Sequence, residues 1–223
     1  MKNLTFLLLL FLPISIFAQN DFHKWQFGVT FSPDYAYRTL VNAKNITSFD
    51  IGKLGYTTGI NVNYNFSEML GIEIGVQFSE KGYQTEEIPK DLLIINGLFS
   101  DRIKYIYQYK YIDIPLKANF TFGENKLSYI AVAGIIPNFL IDAKAIYSER
   151  YGNGPLKKIR DTETPDFNKF NVSTVIGAGI EYKISNEISL RAIPQFRFGL
   201  IKPHNILYLW NLGLEFGIFY GIK

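Results

Sequence analysis

The chain has 223 residues, a formal net charge of +3 and no cysteine. Charged residues make up 19% of it, and its lysines and arginines are dispersed, so the sequence does not indicate a nucleic-acid-binding surface. Without cysteine there is no disulfide and no lipid-anchored cysteine, so we expect a single all-β domain that is stabilised by its sheet alone.

The amino terminus has the pattern of a secretory signal peptide. Met1-Lys2-Asn3 is a short basic start, and residues 4–17 are almost wholly apolar. This run is shorter than the roughly 20 residues that a membrane-spanning helix needs, and Ala18 offers a cleavage position. We therefore expect a signal peptide over residues 1–18 and one mature domain over residues 19–223.

Stretches of alternating apolar and polar residues predict the strands. In the first stretch Phe27 and Val29 share one face, while Gly28 and Thr30 share the other. This period of 2 is typical of a strand with two unlike faces. The predicted strands, in chain order, cover residues 25–37, 55–66, a stretch from residue 70 to about 79, 105–122, 127–141, 170–183, 188–200 and 207–222.

The connections between these strands alternate between short and long. Three tight turns fall near Ser67, Gly123 and Ser185. A meander of this kind has its tight turns at one end and its long loops at the other, as in bacterial outer-membrane barrels. We therefore predict a transmembrane antiparallel up-and-down β-barrel of about eight strands, with periplasmic turns. The expected outward loops are 38–54, 82–104, 142–169 and 201–206.

The two faces of the predicted strands differ in a way that suits a membrane. The polar faces hold mainly Gly, Ser, Thr and Asn, which fit inside a narrow barrel, and the apolar faces are rich in Phe, Tyr, Ile, Leu and Val. Aromatic girdles are expected at both rims of such a wall. They comprise Tyr64, Phe66, Phe122, Tyr129, Tyr182 and Tyr220 at the inner rim, and Tyr35, Tyr37, Tyr105, Tyr107 and Tyr208 at the outer rim.

Residues 111–117 (tyrosine, isoleucine, aspartate, isoleucine, proline, leucine, lysine) resemble a motif of the PorT-type outer-membrane barrels of Bacteroidetes. Residues 177–182 are similar to that family's glycine-rich sixth strand, and a leader ending in Ala18-Gln19 is usual in the phylum. The resemblance implies an eight-stranded barrel, similar in architecture to OmpA and OmpX, in the outer membrane. It also implies a link to protein secretion, because one family member is associated with type IX secretion, although most members have no assigned role.

Charges on the polar strand faces are the main candidate site. Isolated charges inside a narrow barrel are costly to bury, so we expect these side chains to pair and to fill the lumen. A polar conduit for protons or ions is the alternative interpretation. The residues concerned are Glu73, Asp113, Lys117, Glu181, Arg191, Arg197 and Glu215.

We expect no catalytic, cofactor or metal site. The two histidines, His23 and His204, fall at opposite ends of the predicted barrel and cannot share a metal ion. His204 with Ser100 or Asp101 resembles the outer-rim site of lipid-modifying barrel enzymes, although a lone loop histidine is usually solvated. In the strands, Pro115 and Pro194 each predict a bulge or kink, because proline cannot donate to the ladder.

Two outer loops are candidates for recognition. Loop 82–104 contains an apolar run that predicts either a contact with a partner or lipid, or a segment that folds over the barrel mouth or extends its strands. Loop 142–169 includes a basic stretch at residues 157–161 that suits anionic lipopolysaccharide, with simple solvation as the alternative. The candidate partner residues in loop 82–104 are Leu92, Leu93, Ile94, Ile95, Leu98 and Phe99.

The sequence favours a non-enzymatic outer-membrane barrel with a filled lumen and a structural or interaction role in the cell envelope. The expected partners are outer-membrane lipid, lipopolysaccharide and an envelope or secretion-machinery protein, with no cofactor and no nucleic acid. Small-solute transport is the first alternative function. A lipid-modifying enzyme and a soluble lipocalin-like carrier follow it.

Overall fold

A computed structural model describes residues 23–40, 49–89, 102–123, 126–151, 153–163, 168–202 and 207–222. In these ranges no helix has the length and apolarity needed to cross a membrane. The predicted signal peptide lies outside them. The strands are β1 (Trp25–Leu40), β2 (Asp50–Asn65), β3 (Leu70–Thr85), β4 (Ile88–Pro89), β5 (Arg102–Asp113), β6 (Leu116–Phe122), β7 (Leu127–Arg150), β8 (Lys157–Glu163), β9 (Phe170–Lys183), β10 (Ile188–Gly199) and β11 (Leu207–Ile222).

Eight wall strands close into a ring, which confirms the predicted fold. β5 and β6 together form the fourth wall strand, because both pair with β3 on one side and with β7 on the other. The ring closes where β11 pairs antiparallel with β1, from Trp25 opposite Ile222 to Leu40 opposite Leu207. Closure leaves no wall strand with an unpaired edge, which is the condition for a sheet to span hydrocarbon.

Alternate side chains of each wall strand point outward and into the lumen. On β1, Val29 and Phe31 are exposed, whereas Thr30 and Ser32 are buried. The outward surface is therefore apolar, as contact with lipid chains requires. Small polar residues expected on the inner face are buried there, together with the charged candidates.

Of the predicted bulge or kink at each strand proline, the structure shows no bulge, although Pro115 interrupts its strand. Pro115 lies in the two-residue break between β5 and β6, yet the backbone N–H of Ile114 still donates to the carbonyl oxygen of Pro137 at 2.9 Å. Pro194 lies inside β10, opposite Leu214 in unbroken register. A missing N–H removes one ladder bond without requiring an extra residue. The register shifts lie elsewhere, at Gly52/Tyr56, Lys110/Tyr111 and Tyr147/Ser148.

The strands extend further into the expected outer loops than predicted. β1 continues to Leu40 and β2 begins at Asp50, inside the expected loop 38–54. β7 continues to Arg150, and β8 lies wholly inside the expected loop 142–169. Beyond the apolar belt charged residues such as Lys144 and Arg150 occupy the outward face, so the apolar alternation of the wall strands is lost from the sequence while the backbone pairing continues. We call the sheet formed here by β4, residues 102–110, residues 142–150 and β8 the projecting sheet.

The aromatic girdles also differ from the prediction. Tyr35 is exposed at the outer rim as expected, but Tyr107 lies on the inner face of the sheet, where its ring stacks on the buried Tyr83 at 4.6 Å between centroids. Tyr105 faces the same way and packs on Tyr147 at 5.2 Å. Trp210 takes a place at the outer rim instead, where it packs on Tyr35 at 6.4 Å.

Candidate functional site

The wall register brings six of the seven predicted lumen charges together. Glu73 on β3 lies directly opposite Lys117 on β6, and Arg191 on β10 lies directly opposite Glu181 on β9. All four point inward, because their exposed neighbours along each strand occupy the outward face. Arg197, further along β10, and Glu215 of the neighbouring strand β11 reach the same region.

These six side chains form one continuous series of ion pairs, which we call the central ion-pair chain. Lys117 Nζ lies 2.6 Å from Glu73 Oε1 and 3.1 Å from Glu215 Oε1. Arg191 lies 3.2 Å from Glu73 and 3.4 Å from Glu181, again between nitrogen and carboxylate oxygen. Arg197 completes the chain at 3.3 Å from Glu215 Oε2. Acids and bases alternate from Glu181 to Arg197.

Burial makes this alternation necessary. None of the six side chains is more than 6% exposed. A buried charge is tolerated only when it is paired and its remaining polar atoms are hydrogen-bonded. Glu73 and Glu215 each contact two bases, and the Arg191 guanidinium also stacks 3.9 Å above the Phe219 ring. The chain therefore crosses the middle of the lumen as a packed and charge-balanced layer.

The seventh predicted charge, Asp113, forms a separate pair nearer the outer end. Its Oδ2 lies 3.1 Å from Lys81 Nζ, and its Oδ1 accepts a hydrogen bond from Asn138 at 2.7 Å. Asn138 in turn accepts a hydrogen bond from Ser173 at 2.6 Å. Lys81 was missed by the sequence analysis, although it continues the odd-numbered inward series of β3 that includes Glu73.

Asp34 is a second lumen charge that the sequence analysis missed. It is 1% exposed and accepts hydrogen bonds from Ser32 at 2.7 Å and from Thr57 at 2.6 Å. Thr57 Oγ1 accepts a hydrogen bond from Arg197 at 2.9 Å, so Asp34 is connected to the central ion-pair chain through one hydroxyl. Its even-numbered position on β1, in series with Thr30 and Ser32, was the signal that could have placed it in the lumen.

An aromatic layer closes the outer end of the lumen. Its buried members are Tyr83, Tyr109, Tyr111, Leu207 and Leu209, which we call the outer plug. The Arg38 guanidinium lies 4.1 Å above the ring of Tyr83 and donates a hydrogen bond to its hydroxyl at 3.1 Å. Arg38 is itself held by an ion pair with Asp50.

Amide side chains fill the inner end of the lumen. Asn63 donates to Gln26 at 2.8 Å and to Asn65 at 2.7 Å, and it accepts a hydrogen bond from Asn119 at 2.9 Å. Asn119 also donates to Glu73 at 3.4 Å, which joins this layer to the central ion-pair chain. Three side-chain layers therefore follow one another along the barrel axis.

Above the plug, tyrosines line the inner face of the projecting sheet. The hydroxyls of Tyr147 and Tyr151 both donate to Glu149, at 2.5 and 2.6 Å. Burial, together with the hydrogen bond to Glu149, raises the pKa of Tyr147 above its ordinary value. At neutral pH this phenol is therefore a neutral hydrogen-bond donor.

The other candidates do not form a reactive site in the described ranges. No group of three or more His, Cys, Asp or Glu side chains there is placed to hold a metal ion. His23 lies at the inner end, against the carbonyl oxygen of Asn186. The candidate partner residues 92–95, 98 and 99 lie outside the described residues, as do Ser100, Asp101 and His204.

Comparison with protein families gives a match over most of the chain. Residues 17–217 match the family described as outer membrane protein beta-barrel domain. No curated protein matches the sequence.

Several solved structures have a similar fold at low sequence identity. Neisserial surface protein A is 11% identical, with a TM-score of 0.48, over 89% of this chain and 97% of that one. A major outer membrane protein of Thermus thermophilus is 12% identical, with a TM-score of 0.46, over 90% and 100%. OprG of Pseudomonas aeruginosa is 12% identical, with a TM-score of 0.40, over 90% and 98%.

Proposed function

Since the chain belongs to the outer membrane protein beta-barrel domain family, and so lies in the outer membrane, we propose that it is a non-enzymatic structural or interaction protein of the cell envelope. The observation that carries this proposal is the central ion-pair chain, which occupies the lumen from β3 to β11. A barrel whose interior is filled by its own side chains offers no path for a solute. Its function then belongs to its outer surface and loops.

Transport is the main alternative, and the layered lumen argues against it. A solute would have to displace the outer plug, the central ion-pair chain and the amide layer in turn. Breaking the central ion-pair chain would leave buried charges without partners, which costs several kcal/mol per ion.

Planar bilayers provide the test of the sealed lumen. We expect the reconstituted wild-type barrel to give no conductance above that of protein-free bilayers. A stable, reproducible single-channel conductance would overturn the sealed-lumen proposal and support small-solute transport.

The resemblance to PorT-type barrels supports a further part of the proposal, a partner in the envelope or secretion machinery. The motif at residues 111–117 has a structural explanation of its own, because Tyr111 belongs to the outer plug and Asp113 pairs with Lys81. The motif therefore supports membership of a barrel type, and the partner has to be identified by experiment.

The partner experiment is isolation of the tagged protein from native outer membranes in mild detergent. We expect a defined envelope protein to co-purify in near-stoichiometric yield. A monomer that purifies alone would remove the assembly role and leave a stand-alone structural role.

Replacement of His204 by alanine should leave the lipid composition of the membrane unchanged, because the proposed role is not enzymatic.

A further inference from the structure

The outward face of the projecting sheet is basic. On β5, Lys110 lies between the inward-facing Tyr109 and Tyr111, so it points outward. The even-numbered residues further along β5 share this face, and the register places residues of β7 beside them. This surface, which we call the basic strip, consists of Arg102, Lys104, Lys110, Lys144 and Arg150.

The basic strip begins where the continuous outward apolar wall ends, and within the strip only Ile106 and Ile146, which lie opposite each other, are apolar among its described positions on β5 and β7. Ile112 lies two residues from Lys110 on the outward face of β5. On β7 the exposed Phe139 and Ile141 precede Lys144. At about 3.3 Å per residue, the first basic groups lie within roughly 10 Å of the last apolar side chain. This is the depth of the polar headgroups that border the hydrocarbon core.

The strip carries more positive charge than its acidic neighbours neutralise. Asp142 is shared between Lys110 at 3.1 Å and Lys144 at 3.6 Å. Glu87 is shared between Arg102 at 3.8 Å and Arg150 at 2.7 Å. Lys104 lies opposite Ser148 and forms no ion pair with the described side chains of β3, β4, β5 or β7.

Four of the five bases therefore share two acids. By register β8 adds one base and two acids to this face, Lys158, Asp161 and Glu163, and Glu80, opposite Lys110, is paired with Lys53. Bases thus still outnumber acids on the described part of this face. Arg102 and Arg150 are also directly opposite each other on the ladder, an arrangement of like charges that is unfavourable without a counter-charge. The Arg102 side chain is 59% exposed, so it is accessible to an external anion.

The opposite side of the outer rim has a different composition. There Trp210 packs on Phe196 at 5.9 Å, and Tyr208 packs on Phe198 at 5.6 Å. An aromatic rim of this kind suits the interface between lipid chains and headgroups. Lys202 Nζ lies 5.5 Å from the centroid of the Tyr208 ring, which places one base here against the five of the basic strip. The excess of positive charge is thus found on the side that carries the projecting sheet.

We propose that the basic strip binds the phosphate groups of an anionic glycolipid in the outer leaflet and so holds the projecting sheet against the headgroups. The strip is continuous with the outward apolar wall, so the molecule beside it is a membrane lipid whose chains contact that wall. Guanidinium and ammonium groups above the apolar surface fit phosphates at the headgroup level. This inference rests on the proposed outer-membrane role only through the location of the barrel, and it does not depend on the sealed lumen. Failure of glycolipid binding and failure of the sealed lumen are therefore separate outcomes.

The test measures binding of fluorescent lipid A by the folded full-length protein in non-ionic micelles. One probe is lipid A with both phosphates, and the other is the same lipid after removal of its phosphates. The variant Lys104→Gln/Lys110→Gln/Lys144→Gln removes three charges of the strip. The matched control, Lys24→Gln/Lys126→Gln/Lys183→Gln, removes three charges at the opposite end of the barrel.

We expect the strip variant to bind phosphorylated lipid A on the order of 100-fold more weakly than wild type, at about fivefold per lysine. The control variant should bind like wild type, and added salt should weaken wild-type binding. Equal binding by the two triple variants would overturn the proposal, as would equal binding of the two lipids by wild type. Heat-modifiable migration on gels shows whether each variant is folded. If the triple variant does not fold, the single variant Lys104→Gln tests the proposal instead, and we expect it to bind phosphorylated lipid A about fivefold more weakly than wild type.

Discussion

Lys117 shows how a single residue determines the stability of the lumen. Its ammonium group is shared by Glu73 and Glu215, and its side chain is 1% exposed. Because burial removes both carboxylates from water, the loss of this base would leave the central ion-pair chain with one more acid than base. At the rim, Lys110 pairs with Asp142 at nearly the same distance as Lys117 with Glu215, but with 30% of its side chain exposed.

This difference in burial predicts different effects of the same substitution. Lys117→Met should lower the free energy of unfolding by about 3–5 kcal/mol, because two buried carboxylates lose their shared partner. Lys110→Met, the control, should cost about 0–1 kcal/mol, as is usual for an exposed ion pair. Urea unfolding in lipid vesicles measures both values. Equal losses would show that Lys117 is not essential for neutralising the lumen.

Loss of the hydroxyl group should change the free energy of unfolding differently at two tyrosines of the outer plug. Tyr83→Phe removes the hydrogen bond from Arg38 and should cost about 0.5–1.5 kcal/mol. The hydroxyl of Tyr111 has no hydrogen-bond partner in the described part of the chain, so Tyr111→Phe should be neutral or slightly stabilising. The same unfolding measurement compares them. A larger loss for Tyr111→Phe would place a bound water or an undescribed residue at that hydroxyl.

At the scale of the element, β7 is the longest strand, with 24 residues. Its first part pairs with β6 and β9, whereas its last part pairs with β5 and β8. The strand therefore belongs to the barrel wall and also to the projecting sheet. Beyond Ile141 its pairing continues, with β5 from Asp142 and with β8 from Lys144.

We expect this pairing to protect the backbone of residues 144–149 from hydrogen exchange. Their amides should exchange slowly compared with those of the tight turn at residues 184–187, because both edges of this part of β7 are bonded. Hydrogen exchange of the protein in vesicles, followed by mass spectrometry, gives both rates. Exchange as fast as in the turn would mean that the segment is an open loop in solution.

At the scale of the whole molecule, closure of the ring by β1 and β11 defines the barrel. Val29 and Ile218 are direct partners across this seam and both are exposed on the outward face. Opposite residues in an antiparallel pair have Cβ atoms about 4.5–5.5 Å apart, close to the separation that a disulfide bridges. The chain contains no cysteine, so introduced thiols have no competing partner.

The seam therefore predicts a disulfide in Val29→Cys/Ile218→Cys after oxidation of the folded protein. The mismatched control, Val29→Cys/Leu214→Cys, should stay reduced, because its two positions are four residues out of register. Gel migration with and without reductant detects the cross-link. Cross-linking in the control but not in the matched pair would show a different register.

The sequence predicted the parts of the molecule whose side chains alternate strictly. β9 and β11 have the predicted limits, because apolar outward and polar inward residues continue to their last residues. The same alternation assigned Glu73, Lys117 and Glu215 to the inward faces of their strands, where all three are buried. The upper part of β7 and all of β8 escaped prediction, because no apolar face marks a strand outside the lipid. Lys81 and Asp34 were missed for a related reason, since each lies in a stretch where tyrosines or a proline interrupt the pattern.

The central ion-pair chain has a consequence for the order of assembly. Arg191 and Glu73 are 118 residues apart in the chain, and Lys117 and Glu215 are 98 apart. A nascent barrel that lacks β10 and β11 therefore still has Lys117 paired with Glu73, but Glu181 on β9 is without Arg191, its base in the central ion-pair chain. The arrival of the two carboxy-terminal strands completes both the ring and its charge balance in one step. Insertion into hydrocarbon is then most favourable for the finished circle, because an open intermediate would bring uncompensated charge into the bilayer.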